Sequence, residues 1–359
     1  MEEKVFAGFY LEKLYFIPHF EPVIQELRKR GLSYTVIIPS NLDRDEVDQR
    51  HEAVAYCRER NLVYCLREDC PAVEYLVFAN GVRELGISYQ KSVLIFHGTW
   101  GGKSVYLDPG LNEVDIRFID GRFYEDILNE YFPEKKCELC VTGYSKLDAY
   151  FDFKEEDKTG LLKRCGLDPC KKTILYAPTF YPSSILKIGS DFPVVLKDYN
   201  IIVKPHSNIF LRSKYRHTLK HIRKWGKHEN VFIAGFGETN ILPFMYAADL
   251  MISDISSAVY EFAGLGKPVV VNMFLHYRWY HLLMKKKIGK RLDKAHFYLW
   301  NVGDVVDNYR EMLDACRTNL MYPEKHQKYR EELVKYVLGE VDGKVAVRIV
   351  DKLLRERRS

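Results

Sequence analysis

Short apolar runs recur along this chain, each followed by polar or glycine-containing residues and then by a stretch of helix-forming composition. Val5–Tyr10, Tyr34–Pro39, Leu62–Leu66, Tyr75–Phe78, Lys91–Phe96, Phe118–Ile119 and Glu138–Thr142 make a first series of predicted strands. A loop holding Pro18-His19-Phe20-Glu21-Pro22 leads from the first of them into a helix over Val23–Arg30, stopped by Gly31. A second series follows at Thr173–Tyr176, Tyr199–Val203, Val231–Ile233, Leu250–Ser253 and Lys267–Val271. Helices are predicted over Lys154–Gly166, Arg212–Lys227, Val259–Leu265, Glu331–Leu338 and Ala346–Arg358. This alternation predicts an α/β chain of two doubly wound domains with parallel sheets. Asp168-Pro169 breaks the charged stretch Lys154–Gly166, so the expected division is an N-terminal domain over 1–168 and a C-terminal domain over 169–335. Residues 336–359 are expected to form a C-terminal helix packing back on the first domain.

Composition narrows the class. A chain of 359 residues with 47% hydrophobic content can bury two cores of ordinary size. It holds no uninterrupted apolar run of ~18 residues, and Met1-Glu2-Glu3-Lys4 leads straight into a strand, so no membrane span or secretory leader is expected and the protein is read as cytoplasmic. The net charge of +5 is modest, but Lys and Arg are bunched, which points to local anionic partners rather than to nucleic acid. Basic clusters at Arg28–Arg30, Lys285–Arg291 and Arg355–Arg358 suit the inner face of a membrane. Phe274–Lys290 fits equally a helix on an anionic bilayer and a core-facing aromatic helix with a basic turn.

No metal is expected. Cys137 and Cys140 form a CxxC with Cys165 and Cys170 downstream, but a strand through Cys140 turns it into a core and away from Cys137. Asp43 and Asp45 precede a helix rather than ending a strand, and read as a solvated face. His217 and His221 share a helical face without a third ligand nearby.

The candidate chemistry lies in polar turns at strand carboxyl ends, where ligands of open α/β sheets bind. Asp254-Ile255-Ser256-Ser257 joins a buried strand to a helix, and a serine at a helix mouth beside orphan N–H groups suits a phosphate or diphosphate. Taken alone, that turn fits an ordinary serine-capped βα connection equally well. His97-Gly98-Thr99-Trp100-Gly101-Gly102-Lys103 follows another strand and places an imidazole for proton transfer, with glycines that permit close backbone approach. Spacing leaves a structural histidine equally open. Ala177-Pro178-Thr179-Phe180, Lys204-Pro205-His206-Ser207 and Ala234-Gly235-Phe236-Gly237 end strands on the same edge. His19 and Glu21 lie at the corresponding edge of the first domain.

Over roughly Ser92–Met273, the order of His97-Gly98-Thr99, Val141-Thr142-Gly143-Tyr144, Tyr176-Ala177-Pro178-Thr179, Lys204-Pro205-His206 and Asp254-Ile255-Ser256-Ser257 with Gly266-Lys267-Pro268 resembles the CDP-glycerol glycerophosphotransferase family. Two departures stand out: Trp100-Gly101-Gly102-Lys103 replaces the usual proline and paired lysines, and Ile255 stands where tyrosine is common. The resemblance implies a GT-B scaffold, two Rossmann-like domains facing a cleft. It implies a transferase that moves a polyol phosphate from a CDP-activated donor to an acceptor hydroxyl and releases CMP, in teichoic-acid-like polymer synthesis, without a metal. His97 and His206 are then the catalytic residues. Thr179, Lys204, Asp254, Ser256 and Ser257 are on the donor side, and His19, Glu21, Thr99 and Lys103 on the acceptor side, where the acceptor is expected to be lipid-linked. The lack of a long N-terminal extension favours single addition over polymerisation. The rival expectations are a GT-B nucleotide-sugar transferase or epimerase-like enzyme, and a nucleotide-binding module without catalysis.

Overall fold

The computed structural model describes residues 4–39, 50–278 and 293–358. The Asp43/Asp45 pair and the basic run 285–291 lie outside them, as does most of the 274–290 aromatic stretch. Among the described residues no helix is long and apolar enough to cross a membrane, and no three His, Cys, Asp or Glu side chains gather as metal ligands.

The chain divides into two compact units. Unit 1 holds Met1–Thr99, Tyr106–Ala149 and Tyr336–Ser359; unit 2 holds Trp100–Val105 and Tyr150–Lys335. In unit 1, β1 (Val5–Tyr10), β2 (Tyr34–Ile38), β3 (Tyr64–Leu66), β4 (Val73–Phe78), β5 (Tyr89–Ile95), β6 (Ile116–Ile119) and β7 (Glu138–Val141) form one sheet. Their order is β3-β2-β1-β4-β5-β6-β7, parallel throughout, with Ala7 opposite Tyr34 on one side and Tyr75 on the other. Strand order reverses between β1 and β4, so the loops after β1, β4 and β5 gather at the crevice where such sheets bind ligands. Covered on both faces, β2, β4 and β6 are buried at every position, which is why they read as continuous apolar runs.

In unit 2, β8 (Thr173–Ala177), β9 (Asn200–Val203), β10 (Val231–Ile233), β11 (Leu250–Ser253), β12 (Val269–Asn272) and β13 (Asp304–Val306) form a second parallel sheet in the order β10-β9-β8-β11-β12-β13. Its reversal lies between β8 and β11, the strands that carry Thr179 and Asp254 at their ends.

Three features depart from the sequence reading. The residues read as a loop around Pro18 and Pro22 are helical, within Ile17–Lys29. Pro18 sits in the first turn, where its missing N–H has no helical acceptor to serve, and Phe20, Val23, Ile24 and Leu27 bury one face of the helix firmly enough to carry Pro22 as well. The main division falls at Ala149/Tyr150, ahead of 168/169. The helix Glu155–Arg164 belongs to unit 2, tied there by Phe153 stacked on Tyr246 (5.0 Å) and by Lys158 paired with Asp249 (3.5 Å). Trp100–Val105, read as part of the first domain, is built into unit 2.

The helix Val345–Glu356 buries Val345, Ala346, Ile349, Val350 and Leu353 in the core of unit 1, and the carboxylate of Asp148 accepts the N–H groups of Val345 and Ala346 at its start.

Candidate active site

In unit 1, β5 delivers His97 beside the end of β4. The His97 backbone N–H and ring Nδ1–H both donate to the Ala79 carbonyl, at 3.1 and 2.7 Å. The ring lies against Phe16 (4.3 Å) and Phe96 (4.6 Å). Burial pushes the imidazole down to about 4, against the opposing effect of the Ala79 bond, and the charge of Lys13 adds to the fall. At neutral pH His97 is therefore uncharged, with its proton held on Nδ1 and a lone pair on Nε2. That is the form of a general base.

The other unit 1 candidates have different roles. Thr99 is buried and shares a hydrogen bond with the Tyr124 hydroxyl (3.1 Å). Glu21 accepts from Tyr56 (2.9 Å) and lies 3.9 Å from Arg60, facing the neighbouring helix Arg50–Glu59. Both side chains are thus engaged within unit 1. His19 is 3% exposed, and its Nδ1 has no hydrogen-bond partner.

In unit 2, His206 follows β9 with the opposite polarity. Its Nδ1 accepts the Asn208 backbone N–H (3.1 Å), so the neutral ring carries its proton on Nε2 and is a donor. Burial, then Lys103, Lys204 and Arg212, push it down to about 4. Lys103, expected on the acceptor side, thus belongs to unit 2 and to the electrostatic surroundings of His206 and Lys204.

The Asp254–Ser257 turn is organised from within. Asp254 has no exposed surface and accepts from the backbone N–H groups of Thr179 and Ser184 (both 3.2 Å) and from the hydroxyls of Ser183 (2.9 Å) and Ser184. Burial raises its carboxyl to about 6 despite these bonds. Asp254 is therefore a clasp between the loops after β8 and β11 rather than a ligand to the donor, and Thr179, buried, is held by it. Ser256 and Ser257 are half-buried. The side chain of Ser257 makes no helix cap; it donates to Glu261 (3.5 Å), while Ser256 Oγ accepts the Ala258 N–H (3.3 Å).

The glycines after His97 do permit close approach, though to protein. A Cβ on Gly101 would meet the Ser257 amide nitrogen and lie 2.8 Å from the Ser256 carbonyl carbon. Gly102 has φ +72° and packs on Trp300 and Ile255. Trp100, fully buried, donates to Asp293 (2.7 Å) against Trp300 (4.7 Å).

Sequence reasoning missed Ser183 and Ser184 as partners of Asp254; the paired hydroxyls just beyond Thr179 were the available signal. It also gave no role to Lys146, in the 3-10 helix Ser145–Asp152 that follows β7. Of the histidine pair on the Arg216–Trp225 helix, His217 is exposed, while His221 is half-buried and bonded to the Ile188 carbonyl (3.1 Å). Cys140 lies in β7, and Cys137 is buried in unit 1 while Cys165 and Cys170 belong to unit 2. Two expected basic clusters are partly spent: Arg30 pairs with Glu26 and Asp351, and Arg357 with Glu74.

The family model described as CDP-Glycerol:Poly(glycerophosphate) glycerophosphotransferase matches residues 108–355. The chain belongs to this family. The matched residues take in Lys204, His206, Asp254, Ser256 and Ser257 and begin after His97. Among curated relatives, the teichoic acid ribitol-phosphate polymerase TarK of Staphylococcus aureus is 23% identical over 231 residues, 63% of this chain and 42% of that protein. The teichoic acid glycerol-phosphate primase of Bacillus spizizenii is 27% identical over 145 residues, 40% of this chain and 36% of that protein. The chain thus spans less than half the length of these relatives. The solved structure of the wall teichoic acid polymerase TagF superposes with a TM-score of 0.65 at 15% identity, covering 99% of this chain and 90% of that one. The UDP-GlcNAc 2-epimerase of Neisseria meningitidis, bound to UDP-GlcNAc, gives 0.60 at 16% identity, with 98% and 100% covered. At these identities what is shared is the fold, which is of the GT-B type.

Proposed function

We propose that the chain transfers a polyol phosphate, glycerol phosphate in the first instance, from a CDP-activated donor to an acceptor hydroxyl with release of CMP. The observation that carries the reading is the opposite polarity of two neutral imidazoles: His97 offers a lone pair at Nε2, and His206 offers an N–H at Nε2. One suits a base and the other a donor to phosphate oxygen.

In this scheme the acceptor oxygen attacks the polyol-bearing phosphorus while its proton passes to His97 Nε2. The bond from that phosphorus to the bridging oxygen breaks, and CMP leaves with the electron pair. Lys204, Lys103, the Nε2–H of His206 and the hydroxyls of Ser256 and Ser257 meet the charge of the diphosphate. Removal of one such donor typically slows turnover by ~100-fold or more. With two ammonium groups and these donors at hand, the reaction is proposed to run without a metal and to survive EDTA. The acceptor is proposed to be lipid-linked, in the assembly of a teichoic-acid-like polymer.

The test is a thermal-shift and nucleotide-release comparison of CDP-glycerol, CDP-ribitol and UDP-N-acetylglucosamine, each with lipid-linked and soluble hydroxyl acceptors. A stabilising shift and CMP release with a CDP-polyol alone is the expected result. A response to the UDP-sugar alone would make the chain a nucleotide-sugar enzyme, and donor binding with no CMP release under any acceptor would make it a binding module.

A further inference from the structure

The segment Trp100–Val105 belongs to unit 2 and lies against the Asp254–Ser257 turn, and one residue far away in sequence holds it there. Asp293, which precedes the 3-10 helix Phe297–Val302, grips the residues on both sides of Gly101. Its carboxylate accepts the indole N–H of Trp100 (2.7 Å), and its backbone N–H donates to the Gly102 carbonyl (2.9 Å). Gly101 is thereby pinned at two points. It is also the residue packed on the peptide between Ser256 and Ser257, so closely that a Cβ there would lie 2.8 Å from the Ser256 carbonyl carbon.

The grip is a buried polar contact. Asp293 is 7% exposed and Trp100 has no exposed surface. A carboxylate in such a place is stable only when bonded, and a second donor meets it: Nδ1–H of His296 lies 2.8 and 2.9 Å from its two oxygens. The rings around the bond are fixed as well. Trp100 rests on Trp300 (4.7 Å) and meets edge-on Tyr260 (5.7 Å), three residues past Ser257, and the Tyr260 hydroxyl donates to the Leu299 carbonyl (2.8 Å). Gly102, at φ +72°, packs on Trp300 and on Ile255 in the turn itself. The turn is thus met at Ile255 on one side and through the helix of Tyr260 on the other by a single clamped segment. Ring packing tolerates small shifts, whereas a hydrogen bond weakens steeply away from its line, so the carboxylate is what fixes the register of that segment.

We propose that Asp293 is a positioning residue for the donor: through Trp100 and Gly101 it sets the place of the Ser256–Ser257 peptide, and with it the two hydroxyls offered to the diphosphate. The proposal rests on the reading of that turn as the diphosphate site. It also gives a function to Trp100-Gly101-Gly102, the stretch that replaces the usual proline and paired lysines. Tryptophan supplies the N–H, the first glycine the clearance and the second the left-handed backbone.

The probes are CDP-glycerol and UDP-N-acetylglucosamine, both nucleotide diphosphates, titrated calorimetrically into the full chain without acceptor. Trp100→Phe keeps a ring and deletes the N–H; Asp293→Ala deletes the acceptor. Each should weaken binding of whichever nucleotide the wild-type chain takes by ~10-fold. The double variant should be no weaker than Asp293→Ala alone, because both changes remove the same bond, and Asp293→Asn, which keeps an acceptor oxygen, should recover part of the loss. In turnover, Trp100→Phe should raise KM for the donor, leave kcat near the wild-type value and leave the acid limb of kcat/KM, which belongs to His97, in place. In a proton–nitrogen correlation spectrum, the indole resonance missing from Trp100→Phe should shift when nucleotide is added to the wild-type chain. Wild-type affinity in both single variants, or additive losses in the double variant, would overturn the role of Asp293 and leave the donor reading intact. If Asp293→Ala does not fold, the affinity of Trp100→Phe decides. Binding of the UDP-sugar alone, weakened in the variants, would remove the CDP-polyol reading and keep the role of Asp293, and binding of neither nucleotide by the wild-type chain would overturn both.

Discussion

At the scale of single residues, the chemistry turns on where two imidazole protons sit. The sequence placed His97 and His206 at strand ends, and a strand end was enough to make them candidates. Their roles were not legible, because a tautomer is set by the partner of the other nitrogen: the Ala79 carbonyl in one case, the Asn208 N–H in the other. The same limit explains Asp254 and Lys267. A carboxylate beside two serines reads as part of a phosphate site, yet its acceptor capacity goes to Thr179, Ser183 and Ser184. Lys267, which the sequence marked only by its place in the Gly266-Lys267-Pro268 motif, donates its Nζ to the carbonyls of Met245, Tyr246 and Ala248 and closes the end of the Leu242–Ala247 helix. A motif position tells which residue is needed, not whether a ligand or the chain itself needs it. The state of His97 carries a pH prediction. With its imidazole down to about 4, the base form persists through the mildly acidic range and is lost only as pH falls through that value. The acid limb of kcat/KM should inflect at about pH 4 to 5, and an inflection at the ordinary histidine value near 6.5 would mean that His97 is not held as described.

At the scale of elements, the strands of both sheets were largely readable, since burial on both faces makes parallel strands short apolar runs. β13 was missed, being three residues with one face half-exposed. The helix around Pro18 and Pro22 was misread because proline weighs against helix locally, while the apolar face that decides the matter is visible only in the fold. The segment after His97 is the most informative element. Its glycines were read as permitting close backbone approach, and in the structure Gly101 gives that room to the peptide between Ser256 and Ser257. Gly101→Ala would force that peptide to shift. Overpacking of this kind costs ~1–3 kcal/mol, and the displaced hydroxyls should weaken CDP-glycerol binding. The paired measurement is urea unfolding and donor thermal shift; a variant with wild-type stability and wild-type donor shift would contradict the packing described.

At the scale of the whole chain, each unit is built from non-contiguous segments, which sequence order conceals. The turn Thr142-Gly143 marks one such join: Gly143 adopts φ +102° beneath Val345, and the Thr142 carbonyl accepts from Arg348 (2.7 Å). The motif Val141-Thr142-Gly143-Tyr144 is in this respect a seat for the last helix. Removing residues 336–359 strips Val345, Ile349, Val350 and Leu353 from the unit 1 core. At ~1.5–3 kcal/mol for each, the loss of ~6–12 kcal/mol rivals the ~5–15 kcal/mol that holds an ordinary domain together. A chain ending at Lys335 should therefore lose the cooperative unfolding of unit 1, seen by circular dichroism on heating, and an unaltered melting profile would refute that assignment. Unit 2, by contrast, carries Asp254, His206, Ser256 and Ser257 on its own sheet edge, so donor binding is the property expected to outlast damage to unit 1.

That separation makes His97→Gln the most direct probe of the account. Release of CMP from CDP-glycerol, measured with a lipid-linked hydroxyl acceptor, should fall by ~100-fold or more, while the thermal shift on adding CDP-glycerol stays at the wild-type value. CMP release at the wild-type rate would contradict the account, and so would loss of the donor shift together with the activity.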